Sequence, residues 1–433
     1  MLLEFRISNF KSFLDDVAFK MTPAAKQRDL AYSVMKEKIG SKEYKGLCSA
    51  VIYGPNASGK TNIIAAMDVL RTIVLKGDIR NNEHLYSSNA SKDKFELIPN
   101  NTLQEKKPTN FYIKFMEENL VFEYALSLDL GVFLDETYTR SILLETLSVN
   151  EKLIYKREDD LEFYNEKVIE DLMIKDFVEN KDLIKTLSKN NIHPEELFLT
   201  NGFKLMFSTE IVAIIQKWFE HKFIVIYRAD MAKLNDFRLP KDGQLFIHKK
   251  TNRAAQIFGI NSNALGYAAS KDDEELQLYS IFDDKKTAIP ADIFESYGTV
   301  RFINMFPLFV KALMDGSVLV LDEFDANIHP MALMSIINIF HDDDINTKHA
   351  QLIFNTHNPI FLNANLFRRD EIKFVERDEK THLSQHYALS DFKTAGKSGV
   401  RKAEDYMKHY FLGRYGAIKD IDFYDLFEEI LKD

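Results

Sequence analysis

The sequence predicts an α/β fold built around a parallel sheet, and three stretches predict it. Val51-Ile52-Tyr53 is a short apolar run that enters the loop Gly54-Pro55-Asn56-Ala57-Ser58-Gly59-Lys60-Thr61 and then an amphipathic helix from Asn62 to Leu70. Val318-Leu319-Val320-Leu321 is a second apolar run, closed by Asp322-Glu323. Gln351-Leu352-Ile353-Phe354-Asn355 is a third, closed by Thr356-His357. Short continuous apolar runs of this kind are strands buried on both faces, as in parallel sheets covered by helices.

The chain has 433 residues, enough for one large or two ordinary domains. At 45% hydrophobic and 28% charged it has the composition of a soluble globular protein. No apolar run nears the roughly 20 residues of a membrane span. Met1 to Arg6 lacks the basic head and apolar centre of a signal peptide. The one cysteine, Cys48, excludes an internal disulfide and a cysteine-rich zinc site and fits a cytoplasmic location. A net charge of −10 supplies no global basic field for nucleic acid, although a local basic patch is compatible with that total.

Alternation at Leu3, Phe5, Ile7, then Val17 and Phe19, predicts two strands around a turn from Asn9 to Asp16. Residues 23–46, Lys-rich with Gly40 and Gly46, are expected to be a loop with at most a short helix. The strand–loop–helix unit spans about 49–75, and an irregular connection follows to Pro108. Phe111 to Phe115 and Val121 to Leu128 flank Glu117-Glu118-Asn119 as a hairpin, and strands near 142–149 and 152–157 extend it into a meander. The segment 161–285 is charged and helix-favouring, with Ile211, Ile214, Ile215 and Trp218 on one helical face and no heptad repeat. After 285 the pattern predicts helix 299–314, strand 318–321, helix 330–340, strand 351–355, strands near 371–377 and 383–389, and helix 401–411. The division is thus 1–160, a mainly helical insertion 161–285, and 286–433.

The loop Gly54 to Thr61 has the form and context of a phosphate-binding P-loop. Gly54 and Gly59 let the backbone curl so that successive N–H groups converge, and the following helix points its positive end at the same place. Gly54, Pro55, Asn56, Ala57, Ser58, Gly59, Lys60, Thr61 and Asn62 are therefore the expected nucleotide-binding residues, with Lys60 reaching the β- and γ-phosphates and the Thr61 hydroxyl placed for Mg²⁺. Ligands of parallel sheets sit at the carboxyl ends of the strands. Asp322 then arrives where it can hold Mg²⁺ and Glu323 where it can polarise an attacking water; the plain alternative is an acidic turn. His357, at the tip of the third strand, is placed to donate to a γ-phosphate, against the alternative of a core or cap histidine. Glu295-Ser296-Tyr297-Gly298-Thr299 opens a helix and forms a second anion site at Ser296 and Gly298, or else an ordinary N-cap. One nucleotide does not need two such helix starts from one chain, so this one fits a nucleotide held by another subunit.

This order of motifs resembles the ABC-type ATPases, and within them the soluble branch containing SMC and double-strand-break repair proteins and OLD nucleases. Phe5-Arg6-Ile7-Ser8-Asn9-Phe10-Lys11-Ser12-Phe13 is similar to the opening of that branch. Glu295 to Phe302, Asp322 to Pro330 and Tyr410 to Ile418 resemble, more narrowly, the stand-alone AAA15-type ATP-binding proteins of bacterial restriction and abortive-infection loci, of the RloA and PARIS kind. The resemblance implies an ABC-type P-loop ATPase with an N-terminal antiparallel β subdomain. It also implies ATP and Mg²⁺ as ligands, a homodimer or higher oligomer bridged by ATP, and Ser296 and Gly298 on the γ-phosphate across that interface. Asp325 would link the two sites, and Lys11 or Ser12 would lie near the adenine or α-phosphate. The transporter signature Leu-Ser-Gly-Gly-Gln is matched only at Ser296 and Gly298. No glutamine, Gln104 included, is placed as the residue coupling Mg²⁺ to a partner. His329 and Arg414 carry no assigned chemistry.

The implied function is a switch, sensor or scaffold of an antiviral defence system that controls a separately encoded nuclease or toxin-like effector. About 75 residues follow His357 and hold no spaced acidic cluster, which argues against a nuclease domain in the chain itself. The alternative is an SMC- or repair-like ATPase acting on DNA; missing coiled-coil arms and an acidic pI count against it.

Overall fold

The computed structural model describes residues 1–25, 27, 30–80, 96–133, 135, 138–227, 249–269, 276–282, 287–393, 400 and 404–432. Parts of the expected irregular connection (81–95), of the insertion (228–248, 270–275, 283–285) and of helix 401–411 (401–403) lie outside the described residues.

The N-terminal alternation forms Leu2–Ser8 (β1) and Val17–Lys20 (β2), as expected. Residues 23–46 differ from the expected loop: after a short helical turn they form a hairpin of Val34–Ile39 (β3) and Lys42–Leu47 (β4). Gly40 at φ +59 supplies the left-handed residue that so tight a connection needs. Ser49–Tyr53 (β5), buried at every residue, leads into the helix Lys60–Lys76. The meander then runs through Thr109–Glu117 (β6), Leu120–Asp129 (β7), Ser141–Val149 (β8), Lys152–Arg157 (β9) and Leu161–Phe163 (β10). With β1 and β2 these strands make a seven-stranded antiparallel sheet in the order β10-β9-β8-β7-β6-β1-β2.

The segment 161–285 carries helices, among them Lys181–Asn190, Thr209–Lys217 and Lys249–Phe258, but also strands. Phe223–Ile226 (β11) joins the parallel sheet beside the second apolar run. Ala264–Ala269 (β12) and Leu276–Ile281 (β13) form a small sheet with Ala288–Pro290 (β14). A buried carboxylate helps to fix the helical body to the meander. Glu145 accepts from Tyr124 and Tyr155 hydroxyls, both at 2.9 Å, and from the backbone N–H groups of Phe198 and Leu199 at 2.7 and 2.8 Å.

Val318–Leu321 (β15), Gln351–Asn355 (β16), Ile372–Arg377 (β17) and Ser384–Ala388 (β18) complete a six-stranded sheet, β11-β15-β16-β5-β17-β18. It is parallel except for its last strand. One face of this sheet packs with the Lys60–Lys76 helix and the antiparallel sheet in a core that includes Ile52, Ile63, Ile64, Phe115 and Trp218. The other face packs on the helices Tyr297–Asp315 and Pro330–His341 through Val51, Leu319, Leu321, Phe302 and Ile337. Helices on one side and helix plus sheet on the other account for the continuous apolar runs. Among the described residues, no helix is long and apolar enough to cross a membrane.

Candidate functional site

The strand order decides the site. β15, β16 and β5 are parallel neighbours with β16 in the middle, so their carboxyl ends deliver Asp322-Glu323, Asn355 to His357, and the Gly54–Thr61 loop to one place. A cavity of about 400 Å³ opens there. Asn56 to Asn62 line it, together with Glu323, His357, Lys11, Ser12, Ile98, Asn101, Phe133 and Arg377.

The loop takes the expected shape for local reasons. Gly59 has φ +109, and a Cβ there would come within 2.7 Å of Ser384 Oγ and 2.8 Å of Ser12 Oγ. A Cβ on Gly54 would overlap the Val375 carbonyl oxygen, so β17 presses directly on the loop. Ser384 ties the arrangement together: its hydroxyl donates to Ser58 O at 2.6 Å and lies in hydrogen-bond contact with Ser12 Oγ at 2.7 Å, while Asn62 Nδ2 donates to Ser12 Oγ at 2.8 Å. The opening segment and the P-loop thus form one unit.

Lys60 Nζ donates to the carbonyls of Gly54 (2.8 Å) and Pro55 (3.0 Å). Burial lowers its pKa to about 8, against the pull of Asp322 and Glu323. His357 is likewise pushed down from its ordinary value, by desolvation first and by the charge of Lys60 second. Both causes favour the neutral imidazole.

Asn355, which the sequence reading left unassigned, is the hub. Its Nδ2 donates to Asp322 Oδ1 at 2.5 Å and lies 3.5 Å from Thr61 Oγ1, and its Oδ1 accepts from Glu323 N at 2.5 Å. Thr61 Oγ1 donates to the same Asp322 Oδ1 at 3.0 Å. Glu323 sits at φ +49, a left-handed conformation that a non-glycine residue holds only when its surroundings compel it. Asn355 fixes its N–H, and Arg301 donates to its carbonyl at 2.6 Å. The only hint of Asn355 in the sequence was a polar residue closing a buried strand.

The chain's own donors suit a phosphorylated ligand. Ser58 Oγ is buried without a hydrogen-bond partner, and the ammonium of Lys60 rests on two neutral carbonyls. Thr61 Oγ1 and Asp322 present the hard oxygen pair that Mg²⁺ takes alongside phosphate and water.

Ser296 and Gly298 lie outside this cavity. Ser296 is an exposed N-cap that accepts from Thr299 N at 3.1 Å. A Cβ on Gly298 would overlap the Asn327 carbonyl oxygen, so the glycine admits the turn after Glu323. Glu295 holds the preceding loop through Asn261 N (2.8 Å), Ser262 N (3.1 Å) and Ser262 Oγ (2.6 Å). Asp325 accepts from Thr356 Oγ1 at 2.6 Å, and burial raises its pKa. His329 caps the helix Pro330–His341 through its Nδ1 at 3.2 Å from Met331 N. Arg414 pairs with Glu404 at 3.1 Å beside His409. Both are built into turns. Gln104 is exposed and does not line the cavity.

Residues 49–363, well over half of the chain, match the family described as "AAA domain, putative AbiEii toxin, Type IV TA system". Among solved structures the chain is similar to the SMC head domain from Thermotoga maritima, at 14% identity over 89% of this chain and 98% of that one, with a TM-score of 0.35. It is also similar to an SMC head bound to the C-terminal winged-helix domain of ScpA, at 11% identity over 89% and 97%, with a TM-score of 0.38. No curated protein matches.

Proposed function

The chain belongs to this AAA-domain family, and from that premise we propose that it is an ATPase that closes as an ATP-bridged pair and switches a separately encoded effector in antiviral defence. The observation that carries the ATPase reading is Asn355, which locks Asp322, Thr61 and the backbone of Glu323 around one cavity mouth. Lys60 would hold the β- and γ-phosphates. Thr61 and Asp322 would hold Mg²⁺, which when bound neutralises phosphate charge. Glu323 orients a water and takes its proton as the water oxygen bonds to the γ-phosphorus and the β–γ bridging bond breaks. His357, neutral, donates a hydrogen bond to the γ-phosphoryl oxygens.

The pairing rests on position. Ser296 is exposed and outside its own chain's cavity, and Ile293 (74% exposed) and Tyr297 (59%) flank it as uncovered apolar surface. A second copy laid on this face would bring Ser296 and Gly298 to the partner's nucleotide. The family's description names a putative toxin of a type IV toxin–antitoxin system; the defence setting and the separately encoded effector rest on the motif resemblance of Glu295 to Phe302, Asp322 to Pro330 and Tyr410 to Ile418.

Glu323→Gln tests the reading. It should bind ATP as tightly as the wild type, hydrolyse it about 10²-fold more slowly, and accumulate as an ATP-dependent dimer in light scattering. Unchanged turnover removes Glu323 from the chemistry, and a monomer at saturating ATP removes the bridged pair. Lys60→Ala should abolish binding and protection against phage together.

A further inference from the structure

We propose that Ile98 and Phe133 are the nucleobase wall of the cavity and that Asn101 reads the edge of the base, selecting adenine over guanine. The proposal rests on the nucleotide reading above. Ile98 and Phe133 are half-buried apolar side chains that, among the described residues, pack into none of the hydrophobic cores, yet both line the cavity. Phe133 has no aromatic ring against it among the described residues. An apolar pair without a core partner, facing a polar phosphate cradle, suits the flat face of a base.

The wall is preformed. Lys11 N donates to Ile98 O at 3.1 Å, Asn101 N to Lys11 O at 3.3 Å, and Asn100 Nδ2 to Lys11 O at 2.7 Å, which staples this segment to the opening turn. Phe133 rides on a turn folded by Asp129, which accepts from Gly131 N at 3.1 Å and from Tyr138 OH at 2.7 Å. Gly131, at φ +75, packs so closely on Tyr138 that a Cβ would lie 2.7 Å from the ring.

Base choice follows from the groups that remain. The Asn101 side-chain amide makes no hydrogen bond among the described residues, and an amide presents one donor and one acceptor, the complement of adenine N7 and N6. Guanine would need a carboxylate or similar acceptor pair for its N1–H and N2–H₂. Among the described residues the carboxylate lining the cavity is Glu323, at the phosphate end, and Glu96 is occupied by Lys11 Nζ at 2.6 Å and Tyr227 OH at 3.1 Å.

Calorimetric titration with ATP, GTP and inorganic tripolyphosphate tests this. Phe133→Ala should weaken ATP about tenfold, as loss of one base–aromatic stack does, and leave tripolyphosphate unchanged; Phe133→Trp should keep ATP affinity. Asn101→Ala should bring ATP and GTP affinities together. ATP affinity within twofold of wild type in Phe133→Ala overturns the wall while leaving the phosphate site standing. So does an equal loss for tripolyphosphate. A wild type that binds neither ATP nor tripolyphosphate removes the nucleotide reading itself, and the wall with it.

Discussion

Replacing Asn355 with alanine should uncouple hydrolysis from binding. The side chain is buried and makes two short hydrogen bonds, to Asp322 Oδ1 and from Glu323 N, each 2.5 Å. Alanine leaves the Glu323 N–H without its acceptor, at about 1–3 kcal/mol for an unsatisfied group. Glu323 is also held at φ +49, which stores strain of about 1–3 kcal/mol that this bond helps to restrain. Released from one of its two clamps, the residue relaxes and its carboxylate moves. A displacement near 1 Å costs about 10²-fold in rate. The Lys60 contacts do not pass through Asn355, and its one contact with the P-loop is the long 3.5 Å approach to Thr61 Oγ1, so ATP affinity should change by less than about threefold, well below the 1.4 kcal/mol that a tenfold change represents. Steady-state phosphate release and calorimetric Kd on the same preparation separate the two. Asn355→Asp restores an acceptor for the Glu323 N–H but sets a second carboxylate against Asp322, so its turnover should recover as pH falls and that pair shares a proton. A kcat within twofold of wild type in Asn355→Ala would refute the positioning role. So would a loss of ATP binding equal to the loss of rate.

Nucleotide affinity should fall with rising pH because burial sets Lys60 at about 8 in the free protein. A bound phosphate keeps the lysine charged, so the free protein must take up a proton to bind; between pH 7 and pH 9 the Kd should rise about tenfold. A flat profile places the free ammonium well above 9. The same depressed value means that the folded state sheds its proton before the unfolded chain does, so Lys60 adds to stability as pH rises from about 8 towards 10.5. Gly298→Ala should lower the melting temperature through about 1–3 kcal/mol of overpacking against Asn327, in the presence or absence of ATP. Ser296→Ala should cost about 1 kcal/mol as a lost N-cap; it should also weaken ATP-dependent dimerisation if the hydroxyl serves a second copy. Loss of stability with unchanged dimerisation assigns it to the cap alone.

The three apolar runs and their polar tips were legible because each is a local pattern: a buried strand, then the residues it carries. What escaped depends on pairings that no local pattern encodes. Phe223–Ile226 is as apolar as Val318–Leu321, but it follows helices and finds its parallel partner across nearly a hundred residues. The Val34–Leu47 hairpin is Lys-rich and buries few of its side chains, Met35 and Leu47 among them, so its alternation is faint and Gly40 alone marks the turn. Asn355 needed the order β15-β16-β5, since only the middle strand can reach Asp322 and Thr61 at once. Ile98 and Phe133 lie between periodic segments, where hydrophobicity has no phase to read. The Ser296–Gly298 pair is the instructive case. Its sequence suggests an anion site, yet within one chain the serine caps a helix and the glycine admits the Asn327 carbonyl. These roles do not compete. The Ser296 Oγ that accepts from Thr299 N can still donate its proton, to Thr299 Oγ1 at 2.8 Å or to an incoming phosphate. The same glycine that lets the turn after Glu323 press against this helix joins the exposed face to the Glu323 loop. Arg301 of the same helix donates to the Glu323 carbonyl, so an event at Ser296 would be felt at Glu323 through that bond and the Gly298–Asn327 contact together.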